Sequence, residues 1–135
     1  MRVVLDANVW VSAALAPGPP RDVINAWISH GSIEVIMCVE LYEEIADVLL
    51  RREKIRKWLT MSEAEHYVEA LKAVVDLSPN PNLEEVGLRD SDDSYIVALA
   101  RQERCEFIVT GDKDLLEWPI QRPPCVTARE FLSLI

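Results

Sequence analysis

Four acidic residues, widely separated in the chain, each stand where an apolar run ends or a helical pattern begins. Asp6 follows Val3-Val4-Leu5, Glu44 lies in the pattern Val39–Arg52, Asp93 precedes Ile96-Val97, and Asp112 follows Phe107-Ile108-Val109-Thr110. If the apolar runs are neighbouring strands, these carboxylates converge at one sheet edge. Such a cluster is self-repelling: two carboxylates about 4 Å apart repel by roughly 4 kcal/mol at an effective dielectric near 20. A bound divalent cation offsets that repulsion through oxygen ligation, and protonation of one member does the same. The pattern therefore points to a metal-dependent hydrolase.

Each position has a plainer role that competes with this one. Asp6 precedes Ala7-Asn8-Val9, so it stands at the carboxyl edge of a parallel sheet, where open α/β folds bind ligands; equally, Asp is a favoured helix N-cap, and Asn8 shares the ambiguity. Leu41, Ile45, Val48 and Leu49 form one helical stripe, and Glu44 adjoins it through Leu41 and Val48, unlike Glu40, Glu43 and Asp47. Asp93 begins a pattern with core positions Ile96, Val97 and Ala100, which puts its side chain at the positive end of the helix dipole. Asp90 is an accessory candidate beside it. Asp112 follows Gly111, whose lack of a side chain permits a close turn; Asp114 is a second candidate, and a turn aspartate is the alternative for both.

The elements that would position these groups alternate. Arg2–Leu5, residues 34–37, residues 106–109 and a weaker run near Cys125-Val126 read as buried strands. Helical patterns cover Arg21–His30, Val39–Arg52, Ser62–Asp76 and Asp92–Glu103, with a short one after Asp112. Alternation implies crossover connections and a parallel sheet covered on both faces. Pro17-Gly18-Pro19-Pro20 breaks the chain early, Gly31 is a candidate C-cap after His30, and Thr127-Ala128-Arg129-Glu130 fits a capping box. No linker or repeat interrupts residues 1–135, which predicts one domain.

Bulk properties narrow the class further. Half of the 135 residues are hydrophobic and 27% charged, as in soluble globular proteins. No apolar run reaches the roughly 18 residues that span a bilayer, and the first residues meet a charge too early for a secretory leader, so a cytoplasmic protein is expected. Cys38, Cys105 and Cys125 lack paired spacing and are expected to be reduced packing residues. The net charge of −9 opposes unassisted nucleic-acid binding, but cations in an acidic pocket reverse its local field. Arg51, Arg52, Lys54, Arg56 and Lys57 form a basic run that suits RNA phosphates or, as a plainer role, a solvated helix end. His30 and His66 lie away from the strand ends, which disfavours a metal-free histidine mechanism.

With these residues placed, the chain resembles the PIN-domain nucleases, and among them the single-domain toxins of type II toxin–antitoxin pairs. The resemblance rests on Leu5-Asp6-Ala7-Asn8-Val9, Cys38-Val39-Glu40-Leu41-Tyr42-Glu43-Glu44-Ile45, Arg89-Asp90-Ser91-Asp92-Asp93 leading into Ile96-Val97-Ala98-Leu99-Ala100, and Ile108-Val109-Thr110-Gly111-Asp112-Lys113-Asp114. It implies a Rossmann-like three-layer α/β/α sandwich around a mostly parallel sheet of four to five strands. It also implies a Mg²⁺- or Mn²⁺-dependent endoribonuclease with an acidic quartet of Asp6, Glu44, Asp93 and Asp112, supported by Asn8 and Thr110. A homodimer and a cognate antitoxin are the implied partners. Two departures stand out: Ala7 and Cys38 occupy places where the family often carries a hydroxyl. Rival readings are a phosphoaspartate phosphohydrolase or receiver domain, disfavoured by Asn8 where a second acid is expected, and a non-catalytic PIN-fold binding module.

Overall fold

The computed structural model describes residues 1–82, 95–119 and 121–135. Five strands, β1 (Arg2–Leu5), β2 (Glu34–Cys38), β3 (Leu77–Ser78), β4 (Phe107–Val109) and β5 (Cys125–Val126), form one sheet in the order β3-β2-β1-β4-β5. Every pairing is parallel. Central β1 is enclosed from both sides, since Val3, Val4 and Leu5 are fully buried despite alternating faces, as expected for a parallel sheet between helical layers.

The described helices are α1 (Ala7–Leu15), α2 (Pro19–Ser29), α3 (Val39–Arg51), α4 (Met61–Val74), α5 (Tyr95–Gln102), α6 (Lys113–Leu116) and α7 (Ala128–Leu132). Helices α1, α2, α3, α4 and α7 pack on one another, while α5 packs on β1, β2 and β4. The α5 run Ile96-Val97-Ala98-Leu99-Ala100 is buried throughout, which pins that helix to the sheet. This is the three-layer α/β architecture expected from the strand–helix alternation.

Local chemistry explains most boundaries. Pro19 starts α2 at the position where a missing N–H is harmless, two residues ahead of the expected Arg21. The Arg21 guanidinium instead reaches back to the carbonyls of Ala13 and Ala14, satisfying the end of α1. Thr127 and Glu130 form the expected capping box on α7, and Thr60 and Glu63 form an unanticipated one on α4. Gly31 does not serve as a left-handed cap: α2 ends at His30 in extended backbone, and the chain turns there without a positive φ at Gly31. Strand β3 was also unanticipated. Two half-exposed residues at a sheet edge carry no periodicity to read.

The three cysteines are free and buried, as their spacing predicts. Among the described residues, no helix is long and apolar enough to cross a membrane.

Candidate active site

The parallel register sets the site. Leu5 pairs with Val109, and one step beyond, the Asp6 N–H donates to the Val109 carbonyl at 2.9 Å. Asp6 and Thr110 thus leave adjacent strands at the same carboxyl edge. Both are buried, Asp6 at 9% exposure and Thr110 at 0%.

A closed hydrogen-bond network joins these strand ends. Asp6 Oδ1 accepts the Ala7 N–H at 2.7 Å, and Oδ2 accepts the Thr110 hydroxyl at 2.7 Å and the Asn8 side-chain amide at 3.2 Å. Thr110 Oγ1 in turn accepts from the Asn8 amide at 3.3 Å and from the Asp112 N–H at 3.0 Å. The Asn8 carbonyl oxygen receives the Gly111 N–H at 3.0 Å. Asn8 and Thr110 therefore lock the loop after β4 onto the loop after β1.

The competing cap roles turn out to coexist with the clustered ones. Asp6 is the N-cap of α1, and Asp112 is the N-cap of α6, where its Oδ1 accepts the Asp114 N–H at 2.9 Å. Asp114 itself is exposed. Gly111 is less special than its place suggests. It has no left-handed φ, and an added Cβ would meet Asn8 Oδ1 at 3.6 Å, an ordinary contact.

Glu44 reaches the same edge from α3. Its Oε1 accepts the Tyr95 hydroxyl at 2.7 Å. Cys38, at the N-cap of α3, makes no side-chain cap bond. Asn80 replaces the missing hydroxyl from another segment, its Oδ1 accepting the Glu40 N–H at 2.7 Å. The Ala7 departure is absorbed differently, since Ala7 is buried and its N–H already serves Asp6.

Electrostatics tie the acids together. Burial pushes the Asp6 carboxyl above its ordinary value; the bonds from Thr110 and Ala7 oppose that, and the nearby Glu44 and Asp112 charges add to it. The Tyr95 phenol is pushed far up by burial and by donating to Glu44, so it remains a donor. Among the described residues, no three His, Cys, Asp or Glu side chains close to a metal-holding group. Asp90 and Asp93 lie outside the described residues.

The basic run divides. Arg56 is a structural residue, its guanidinium donating to the Leu49 carbonyl and, at 3.3 Å, to that of Leu59. Arg51 pairs with Asp47 at 3.3 Å. Arg52, Lys54 and Lys57 are exposed around the 3₁₀ turn Glu53–Lys57. His30 and His66 are exposed, at the end of α2 and within α4.

The model of the PIN domain family matches residues 2–114, a span that holds Asp6, Glu44, Asp93 and Asp112. The chain belongs to the PIN domain family. PIN domains are generally nucleases, and those nucleases generally use divalent metal ions. In fold the chain is similar to VapBC2 from Rickettsia felis, solved bound to a DNA fragment from their promoter. The match has a TM-score of 0.65 at 14% identity and covers 94% of this chain and 98% of that one. Comparison with curated proteins gives no match.

Tyr95, bonded to Glu44, is a residue that the sequence pattern did not single out. The available signal was an aromatic with a polar tip directly before five buried residues, Ile96 to Ala100, since a half-buried phenol needs a hydrogen-bond partner.

Proposed function

We propose that this PIN domain is a Mg²⁺- or Mn²⁺-dependent endoribonuclease, with Asp6, Glu44 and Asp112 as its acidic centre and Asp93 completing the set on the strength of the motif. The observation that carries the reading is the strand-end network around Asp6, which holds a buried carboxylate against the repulsion of two others. The donor chemistry suits a hard cation; among the described residues no three acids close on one point, so we assign the closing ligand to Asp93. The donors are oxygens, as Mg²⁺ and Mn²⁺ prefer, and among the described residues Asp6 engages three hydrogen bonds against roughly four lone-pair sites on an ionised carboxylate.

When bound, such an ion would orient and acidify a water for in-line attack on a phosphodiester and stabilise the leaving oxygen. The chain's own groups do the rest. Thr110 and the Ala7 N–H fix the Asp6 carboxylate in one orientation, Asn8 clamps the two loops, and Asp114 N–H steadies Asp112. The products expected are 5′-phosphate and 3′-hydroxyl ends. Exposed Arg52, Lys54 and Lys57, with Arg51, are the candidates to contact RNA phosphates; Arg56 is committed to the Leu49 and Leu59 carbonyls.

One hydrophobic cluster running from Val3 to Phe131 supports treating the chain as one PIN-like domain. The likeness to a toxin–antitoxin complex supports a toxin role with an antitoxin partner, and we read the protein as a cytoplasmic homodimer on the family resemblance.

The test is RNA cleavage by purified protein with mapping of the cut 5′ ends. Cleavage is expected with Mn²⁺ or Mg²⁺, lost on chelation and lost in Asp6→Asn. Cutting that survives full chelation would overturn the mechanism. An intact Mn²⁺ site without any cleavage would favour the non-catalytic binding module.

A further inference from the structure

Tyr95 is the first described residue of α5 and touches α3, a helix from a distant part of the chain. Its hydroxyl donates to Glu44 Oε1 at 2.7 Å across 51 positions, a length typical of a charge-assisted O–H to carboxylate bond. The two residues differ in how they are held. Glu44 is exposed on α3, and a long, exposed side chain loses rotamer freedom whenever it is fixed. Tyr95 is half-buried, has only two side-chain torsions, and is followed directly by five buried residues, Ile96 to Ala100, packed on the sheet. A rigid group on a pinned helix is thus tethered to a mobile type of acid at the edge of the site. Among the described residues, the Tyr95 hydroxyl is the hydrogen-bond partner of Glu44.

We infer that Tyr95 is a positioning residue that holds the Glu44 carboxylate toward Asp6 for capture of a divalent cation. The inference rests on the metal-dependent reading above and adds to it a specific residue that makes the exposed acid competent. Among the described residues, the Tyr95 bond takes one lone pair of Oε1 and leaves Oε2 and the other Oε1 site open to a second partner. The alternative role is a simple anchor between α5 and α3, which would affect folding and not the site.

The experiment is Mn²⁺ binding, followed by the electron paramagnetic resonance of the free ion, for the wild type, Tyr95→Phe, Glu44→Ala and Thr60→Ala. Phe keeps the ring and removes the tether alone, while Thr60→Ala weakens the fold at the distant α4 capping box. Loss of an outer partner of a metal ligand typically lowers metal affinity about 10–100-fold, so Tyr95→Phe is expected to fall in that range. Glu44→Ala should lose at least as much, and Thr60→Ala should bind as the wild type does. The inference is overturned if Tyr95→Phe binds like the wild type, if Glu44→Ala loses less than Tyr95→Phe, or if Thr60→Ala weakens binding equally. A wild type that takes up no Mn²⁺ removes the metal-dependent reading and the Tyr95 role together, a result distinct from a binding wild type matched by Tyr95→Phe.

Discussion

Asp6 and Glu44 share one sheet edge but are held in opposite ways. Asp6 is buried and receives three hydrogen bonds, from its own helix start and from the neighbouring strand end. Glu44 is exposed and, among the described residues, receives one bond, from a tyrosine on another helix. The first carboxylate is built into the backbone framework, and repulsion and desolvation act on it continuously. The second is adjustable and depends on a side chain for its aim. The contrast teaches that convergence of acids at a strand end takes two devices: a rigid anchor, and a tethered arm that can close on what the anchor attracts.

Substitutions can break this contrast, and the largest effect is expected at the anchor. Asp6→Asn should lower metal-stimulated RNA cleavage by more than about 100-fold, beyond the loss typical of a supporting residue, as measured by initial rates at saturating Mn²⁺. Its stability effect should depend on pH. Because the folded Asp6 carboxyl sits above its ordinary 3.8, folding favours the protonated form. That contribution is complete below pH 3.8 and fades as pH climbs through the raised value. Asn cannot ionise, so in chelator the variant should gain on the wild type as pH rises through that window. Thermal melts across a pH series check this, and a gap independent of pH would contradict it.

Thr110→Val removes the hydroxyl that Asp6, Asn8 and the Asp112 N–H share, and should destabilise by about 1–3 kcal/mol through buried groups left unpaired. Urea unfolding measures it, with loss of cleavage alongside. Glu44→Ala sharpens the contrast from the other side. Cleavage should fall, yet stability should stay within about 0.5 kcal/mol, as for an exposed surface position; a loss as large as that of Thr110→Val would make Glu44 structural. The smallest effect on cleavage belongs to Thr60→Ala, expected to cost about 1 kcal/mol of stability for the lost cap with cleavage unchanged.

What the sequence made legible follows the same division. Asp6, Thr110 and Asp112 could be placed because strands of apolar residues announce their own ends, and parallel register brings those ends together. Helical spacing places Glu44 inward beside Leu41 and Val48, yet it is exposed, as are Glu40, Glu43 and Asp47; what sets it apart is the Tyr95 bond, which that spacing does not reveal. The Tyr95 tether, the Asn80 cap on α3 and strand β3 were not legible, since each depends on contacts between distant segments or on two residues without a period. Gly31 and Gly111 misled for a related reason. Glycine advertises backbone freedom, and neither turn uses it. In the basic run, charge alone did not separate Arg56, spent on backbone carbonyls, from the exposed Arg52, Lys54 and Lys57.

We propose that Asp6, Glu44 and Asp112 act on one cation together with Asp93. Anomalous diffraction from a crystal soaked in Mn²⁺ tests it most directly. The expected result is a peak bonded to an Asp6 oxygen at about 2.2 Å, between the oxygen distances of Mg²⁺ and Ca²⁺, with Glu44 and Asp112 around it. A well-diffracting soak with no peak there, or with its peak away from Asp6, would contradict it.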